Sequence, residues 1–228
     1  MPTFTLETAF TEQDLQRFLA SGSNVVVAKP TGGGTPNVAW VVYRPLLANT
    51  MTWEEDYGIY ASNADIVNGA QLTQMSQTPY PAHADATYSL NPAGFFGPPS
   101  SGGVANSYSA ENEYDNLPKG YLTMGLYQDA SVNGTPVQGN AVSAAPVIYQ
   151  STAVMTPFTT VYLWIQSSVV SNTVVTTVTS PMTKVTFGGS VTDVALQYDA
   201  SSGIFLPVGG DEALGAGIEV DHLIPSLI

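Results

Sequence analysis

Thr160-Val161-Tyr162-Leu163-Trp164-Ile165-Gln166-Ser167-Ser168-Val169-Val170 is the most strand-like run of the chain, and four shorter runs follow it at close intervals. They cover 173–179, 183–187, 191–198 and 204–206, broken by Ser171-Asn172, Ser180-Pro181, Gly188-Gly189 and Ser201-Ser202-Gly203. β-Branched and aromatic side chains pack well on a pleated surface, whereas Ser, Asn, Gly and Pro supply turn conformations. Short strands at this regular spacing predict an antiparallel β-sandwich or meander.

Working outward from that stretch, the same period recurs towards the N-terminus. Residues 25–28 and 38–43 flank Pro30-Thr31-Gly32-Gly33-Gly34-Thr35-Pro36-Asn37, which reads as a hairpin with a long tip. Met51, Trp53, Glu55, Tyr57 and Ile59 alternate with Thr52, Glu54, Asp56, Gly58 and Tyr60, which predicts one strand. Asn68-Gly69 is the strongest short hairpin signal and pairs that strand with residues 71–75. Residues 121–127 read as a further strand and Asn133-Gly134 as a turn. Helical character is confined to residues 11–21. Phe10 and Leu15 form a staple around the N-cap Thr11, with Asp14 as the capping acid. Leu15, Phe18 and Leu19 form its apolar face, and Gly22 closes it in a left-handed conformation.

Residues 79–119 differ in character. Pro79, Pro81, Pro92, Pro98, Pro99 and Pro118 alternate there with Gly94, Gly97, Gly102 and Gly103, and aromatics are scattered among them. Long irregular segments in a compact domain are often functional, so the working surface is expected here. The tail, 209–228, is acidic and then apolar, and reads as a strap over the domain or a docking segment for another subunit. No repeat and no linker divides the chain, so residues 1–228 are read as one domain.

Composition narrows the function. Eighteen acidic residues against five basic ones give a net charge of −13, and Arg17, Lys29, Arg44, Lys119 and Lys184 are dispersed. A phosphate backbone needs several cations on one surface, so no nucleic-acid partner is expected, nor attachment to anionic lipid by charge. The absence of cysteine removes disulfides, thiolate metal sites and a Cys nucleophile. Charged residues make up only 10%, where about 25% is usual, so Ser, Thr, Asn, Gln and Gly must carry solubility. Neither a basic, apolar leader nor a run of about 18 apolar residues is present, which predicts cytoplasmic storage or leaderless release.

Several constellations invite chemistry. His83 with Asp85 could form a base pair, but no Gly-x-Ser-x-Gly elbow accompanies it, and an exposed loop histidine is the simpler reading. His222 beside Asp221 is weaker still. Glu54 and Glu55 are neighbours on a strand and so face opposite ways, while Glu54 and Asp56 share a face. Lys29 before the Gly-rich tip lacks the Gly-Lys-Ser/Thr ending of a phosphate loop. Glu111, Glu113 and Asp115 place carboxylates at alternate positions, as loose calcium sites do, without the EF-hand glycine or terminal glutamate. Ser/Thr and Val alternate imperfectly over 167–186, as in membrane-inserting β-hairpins. The run 173–179 falls short of the roughly 9–11 residues a spanning strand needs, and Pro181 interrupts it.

Trp40, Trp53 and Trp164 lie in strands and are expected in the core, whereas loop aromatics can stack on sugars or sit at a lipid headgroup layer. The function expected is therefore that of a non-enzymatic binding protein of defence type. It would recognise a glycan or membrane surface through Tyr80, Phe95, Phe96, Tyr108 and Tyr114, with Glu111, Glu113 and Asp115 as a calcium-assisted contact. In composition the chain resembles leaderless defence lectins and pore-forming toxins. The alternative is a self-assembling fibre, tube or coat protein that forms homo-oligomers through strand edges or the C-terminal tail. A hydrolytic enzyme stands third.

Overall fold

Alternation of buried and exposed side chains along Thr3–Ala9 (β1) and Ala48–Glu54 (β5) places Phe4, Leu6, Met51 and Trp53 on one buried face. The computed structural model describes residues 2–32 and 34–209, and the backbone of 221–223. Within them the chain is all-β, with one helix among the described residues. None of its helical structure is long and apolar enough to cross a membrane.

The largest sheet runs Ile204–Pro207 (β19), Asp193–Asp199 (β18), β1, β5, Leu122–Val132 (β11), Gly58–Ser62 (β6) and Gln74–Gln77 (β7). Thr135–Ala141 (β12) and Ala145–Val147 (β13) also pair with β11. A five-stranded sheet runs Asp221–Leu223 (β20), Met182–Thr186 (β17), Thr160–Ser167 (β15), Ser23–Ala28 (β2) and Val41–Tyr43 (β4). A four-stranded sheet runs Thr152–Met155 (β14), Tyr108–Asn112 (β10), Ala86–Leu90 (β8) and Ser100–Ser101 (β9). Val38–Ala39 (β3) and Thr173–Val174 (β16) form a two-stranded patch.

One core joins the three larger sheets: Leu6, Met51 and Leu126 from the first, Val27 and Leu163 from the second, Tyr88 and Ala110 from the third. The five-stranded sheet is buried on its other face too. There Val26, Ala28, Tyr162 and Trp164 meet Val169, Val175 and Ala39. Strands buried on both faces read as continuous apolar runs, which is why 25–28 and 160–165 stand out in the sequence.

The helix Glu12–Ser21 (α1) has the expected caps. Thr11 Oγ1 accepts from the Asp14 N–H, Asp14 returns the bond to the Thr11 N–H, and Gly22 takes φ +65°. Phe10 and Phe18 meet edge to face at 5.6 Å. Leu19, expected on the apolar face, is 64% exposed, because the core lies under Leu15 and Phe18 instead.

Other expectations need correction. The pairing is not purely antiparallel: β1 runs parallel to β18, and β8 parallel to β10. The alternating run 51–60 is two strands, because Glu55-Asp56-Tyr57 leaves the ladder and β5 and β6 separately flank β11. Glu54 and Asp56 therefore do not share a strand face. The hairpin signalled by Asn68-Gly69 exists as β6–β7, starting at Gln74 rather than at residue 71. Residues 79–119 are not wholly irregular, since alternate burial in 86–90 and 108–112 makes β8 and β10. Residues 167–186 form no long hairpin. Val169 and Val175 cover the five-stranded sheet, and β17 pairs with β15. Most of the tail expected as a strap, 209–228, lies outside the described residues; the backbone of β20 pairs with β17.

Candidate functional site

The hairpin β8–β9 carries the best-defined protruding aromatic. At its tip the Asn91 carboxamide oxygen accepts the N–H groups of Ala93 and Phe95, and the Asn91 N–H donates to the Phe95 carbonyl. A short polar side chain that bonds its own turn fixes the loop. Gly94 takes φ +84°, and a Cβ there would stand 3.4 Å from Met75 and 3.5 Å from Tyr114. The result is that Phe96 packs on the core while Phe95, beside it, is 65% exposed.

The strands that flank this tip, β8 and β9, belong to the four-stranded sheet. Register sets Thr87, Ser109 and Val154 in one row and Ser89, Glu111 and Thr152 in the next, on the side away from Tyr88, Leu90 and Ala110. Ser89 Oγ donates to Glu111 Oε2 at 2.9 Å. Ser109 Oγ, in the middle of the face, is buried without a hydrogen-bond partner, the one such side-chain atom among the described residues. Phe95 and Glu111 thus belong to one hairpin-and-sheet unit.

The remaining expected residues lie elsewhere. Tyr80 is 37% exposed and tilts against Tyr127 at 5.6 Å, its hydroxyl donating to the Asp56 carbonyl. Burial pushes the pKa of its phenol well up. Tyr108 is buried with its ring 5.7 Å from Tyr57, and burial raises it to about 12. Tyr114 is half-buried against the core. Glu113 and Asp115 are exposed, and among the described residues no three Asp, Glu or His side chains gather as a metal site requires. His83 is exposed, while Asp85 accepts the Asn106 N–H rather than meeting it.

Two features lie beyond the expected residues. Strands β13 and β14, joined by residues 148–151, diverge to enter different sheets. A groove of about 530 Å³ opens between them, walled at one end by Thr31, Thr35 and Asn37. Ile148 and Val154 on its walls are exposed, as are Tyr149 and Phe158 nearby.

The second is Lys29, 1% exposed at the end of β2. Its ammonium donates to Glu55 Oε1 at 2.7 Å, the Tyr57 hydroxyl at 2.6 Å and Gln128 Oε1 at 3.2 Å, so each of its three protons has an acceptor. The rings of Trp40, Trp53 and Tyr57 surround it with centroids at 5.4, 5.7 and 5.0 Å. Trp53 Nε1 and the Tyr57 hydroxyl in turn donate to Glu55. Burial lowers Lys29 to about 8, against the opposing pull of Glu55.

No family model, no curated protein and no solved structure matches this chain. Its class is therefore defined by fold and surface: an all-β domain with an aromatic-tipped hairpin beside a hydroxyl-rich sheet face.

Proposed function

We propose that the protein is a non-enzymatic binding module that recognises a glycan on the outer face of the four-stranded sheet. Phe95 is the stacking platform; Glu111, Ser89 and Thr87 are the hydrogen-bonding partners. In this reading the three larger sheets act as a sandwich that presents the face.

The observation that carries the reading is an exposed phenyl ring on a loop pinned by Asn91, at the tip of the hairpin whose strand β8 carries Thr87 and Ser89, the latter bonded to Glu111. Sugar rings offer C–H faces for an aromatic and hydroxyls for a carboxylate. A rigid aromatic loses little side-chain freedom on binding. A membrane surface is the weaker partner, because no cluster of cations accompanies Phe95 and the net charge is −13. Calcium assistance would require the ligand to draw Glu111, Glu113 and Asp115 together, since the three do not gather in the unbound chain.

The test is binding of wild type, Phe95→Ala and Glu111→Gln to a glycan array and to neutral and anionic vesicles, with and without a chelator. Specific glycan binding lost in both variants supports the reading, and its loss on chelation adds calcium to it. Vesicle binding alone moves the partner to a membrane. No glycan bound by folded wild type overturns it.

A second reading, self-assembly, draws on the groove between β13 and β14 and its exposed Ile148, Tyr149, Val154 and Phe158. Size-exclusion chromatography with electron microscopy tests it, and a monomer at all concentrations removes it.

A further inference from the structure

The side chains of Lys29 and Gln128 meet inside the core and play no part in the glycan contact proposed above. We infer that Lys29 and Gln128 become joined by an intramolecular isopeptide bond, with Glu55 carrying the proton.

Geometry places the reactants. Lys29 Nζ is 3.2 Å from Gln128 Oε1, which puts the amide carbon, one bond beyond that oxygen, no more than about 4.4 Å from the amine. Holding two reacting groups side by side in one fixed pose raises their effective concentration far above that of free groups. Gln128 is held from three sides. Its Nε2 donates to the Glu54 carbonyl at 2.6 Å, its own carbonyl accepts from Trp40 Nε1 at 3.1 Å, and the β11–β12 ladder shifts register between Gln128 and Ala130. A shifted register of this kind re-aims a side chain out of the regular alternation.

The surroundings supply the chemistry. A free amine is needed for attack, and a protonated lysine is inert. Burial disfavours the ammonium, and Glu55 Oε1, 2.7 Å from Nζ, is placed to take its proton. The lone pair of Nζ then adds to the carbon of the Gln128 carboxamide. The Tyr57 hydroxyl lies beside the Gln128 side chain and donates to Glu55 Oε2, so it would have to turn from Glu55 to Gln128 Oε1 to meet the negative charge that develops there. Nζ gives up its second proton as the C–N bond to Nε2 breaks, and Nε2, taking that proton and the one held by Glu55, leaves as ammonium. The balance is lysine ammonium plus glutamine carboxamide giving a secondary amide plus ammonium, with Glu55 returned to carboxylate. No oxidant, metal or cofactor is required. Both Lys29 and Gln128 are almost wholly buried, so bulk water has little access to the intermediate.

The product would link β2 of the five-stranded sheet to β11 of the nine-stranded one, across a separation of 99 residues. In a chain without cysteine it would be the covalent tie between its two largest sheets.

Intact-mass spectrometry of the folded full chain, followed by proteolysis and fragment sequencing, tests this. The expected result is a mass one ammonia below that of the sequence, and a branched peptide joining Lys29 to Gln128. Glu55→Gln and Gln128→Met are expected to keep their full mass. A folded wild type with the full unmodified mass overturns the inference, whether or not either variant folds. So does an ammonia loss that maps to Asn68-Gly69 or Asn133-Gly134, where succinimide formation gives the same mass change.

Discussion

Lys29 Nζ and Glu55 Oε1 lie 2.7 Å apart, and the lysine is shut away from solvent while the glutamate side chain remains 16% exposed. The ammonium thus depends wholly on protein partners, whereas Glu55 keeps partial access to water. Removing one member of a buried pair strands the other, and the cost is usually about 3–5 kcal/mol. Lys29→Met should fall at the lower end, about 3 kcal/mol, because Glu55 retains Trp53 Nε1 and the Tyr57 hydroxyl as donors. Glu55→Leu should cost more, since it leaves a fully buried cation without its counter-charge. Urea denaturation of the two variants, both unable to form the crosslink, gives the comparison; an equal or reversed order would show that Lys29 does not rely on Glu55.

In any form of the chain that keeps a free Lys29 amine, stability should rise with pH above neutrality. Burial lowers Lys29 from 10.5 to about 8. Between those values the unfolded chain still holds a proton that the folded one has released, so folding gains as pH climbs through 8, by about 3 kcal/mol over the whole interval. Tyrosines act in the opposite sense. Tyr43 is raised to about 12, and Tyr57 and Tyr60 are also pushed up by burial, so above pH 10 the unfolded chain ionises first and stability falls. A maximum between these limits is expected for Gln128→Met, measured by denaturant midpoint from neutral pH to about pH 11. Crosslinked wild type has no Lys29 titration and should lack the rising limb.

The sequence shows why some of this was legible and some not. Helix α1 carries its caps within a dozen residues, so local chemistry is enough to place it. The runs around 160–167 and 23–28 are apolar on both faces and announce buried strands. The expected strands omit the first one, Thr3–Ala9, although Phe4 and Leu6 alternating with Thr3, Thr5 and Glu7 are the signal that marks it. Its parallel partner β18 lies almost the whole chain away, and no local pattern reveals such a pairing. Phe95 could be singled out because loop aromatics are conspicuous. Ser89, next to Glu111, could not, because only the parallel β8–β10 register brings them together. The Lys29 cluster was hidden for the same reason. A lysine ending the apolar run Val25-Val26-Val27-Ala28 is odd in itself, but Gln128 carries no charge or motif to mark it as the partner.

Two glycines should respond very differently to alanine. In β11, a Cβ at Gly125 would lie 1.8 Å from the Ser143 carbonyl oxygen and 2.7 Å from the Tyr60 ring, with backbone on one side and a buried aromatic on the other. Neither can yield, so Gly125→Ala should cost more than about 4 kcal/mol or abolish folding. Gly134, in the β11–β12 turn, has open space around it but a φ of +77°. Gly134→Ala should cost only about 1–2 kcal/mol, the strain of a left-handed residue with a Cβ. Thermal melts distinguish the two, and comparable losses would mean that β11 and residue 143 are not in close contact.

Phe95 and Tyr108, both expected to bind ligand, should separate in the same way. Phe95 is 65% exposed and its loop is held by Asn91 rather than by its own ring. Phe95→Ala should therefore change stability by no more than about 0.5 kcal/mol, so any lost binding reports on contact rather than folding. Tyr108 is 7% exposed, packs on Tyr57 beside the Lys29 cage, and belongs to the core. Truncating it should cost about 3–5 kcal/mol and disturb Tyr57 with it. Denaturation curves for both variants, run beside the glycan array, check this. A destabilised Phe95→Ala would mean that the ring supports the hairpin, and its binding defect could then no longer be assigned to stacking.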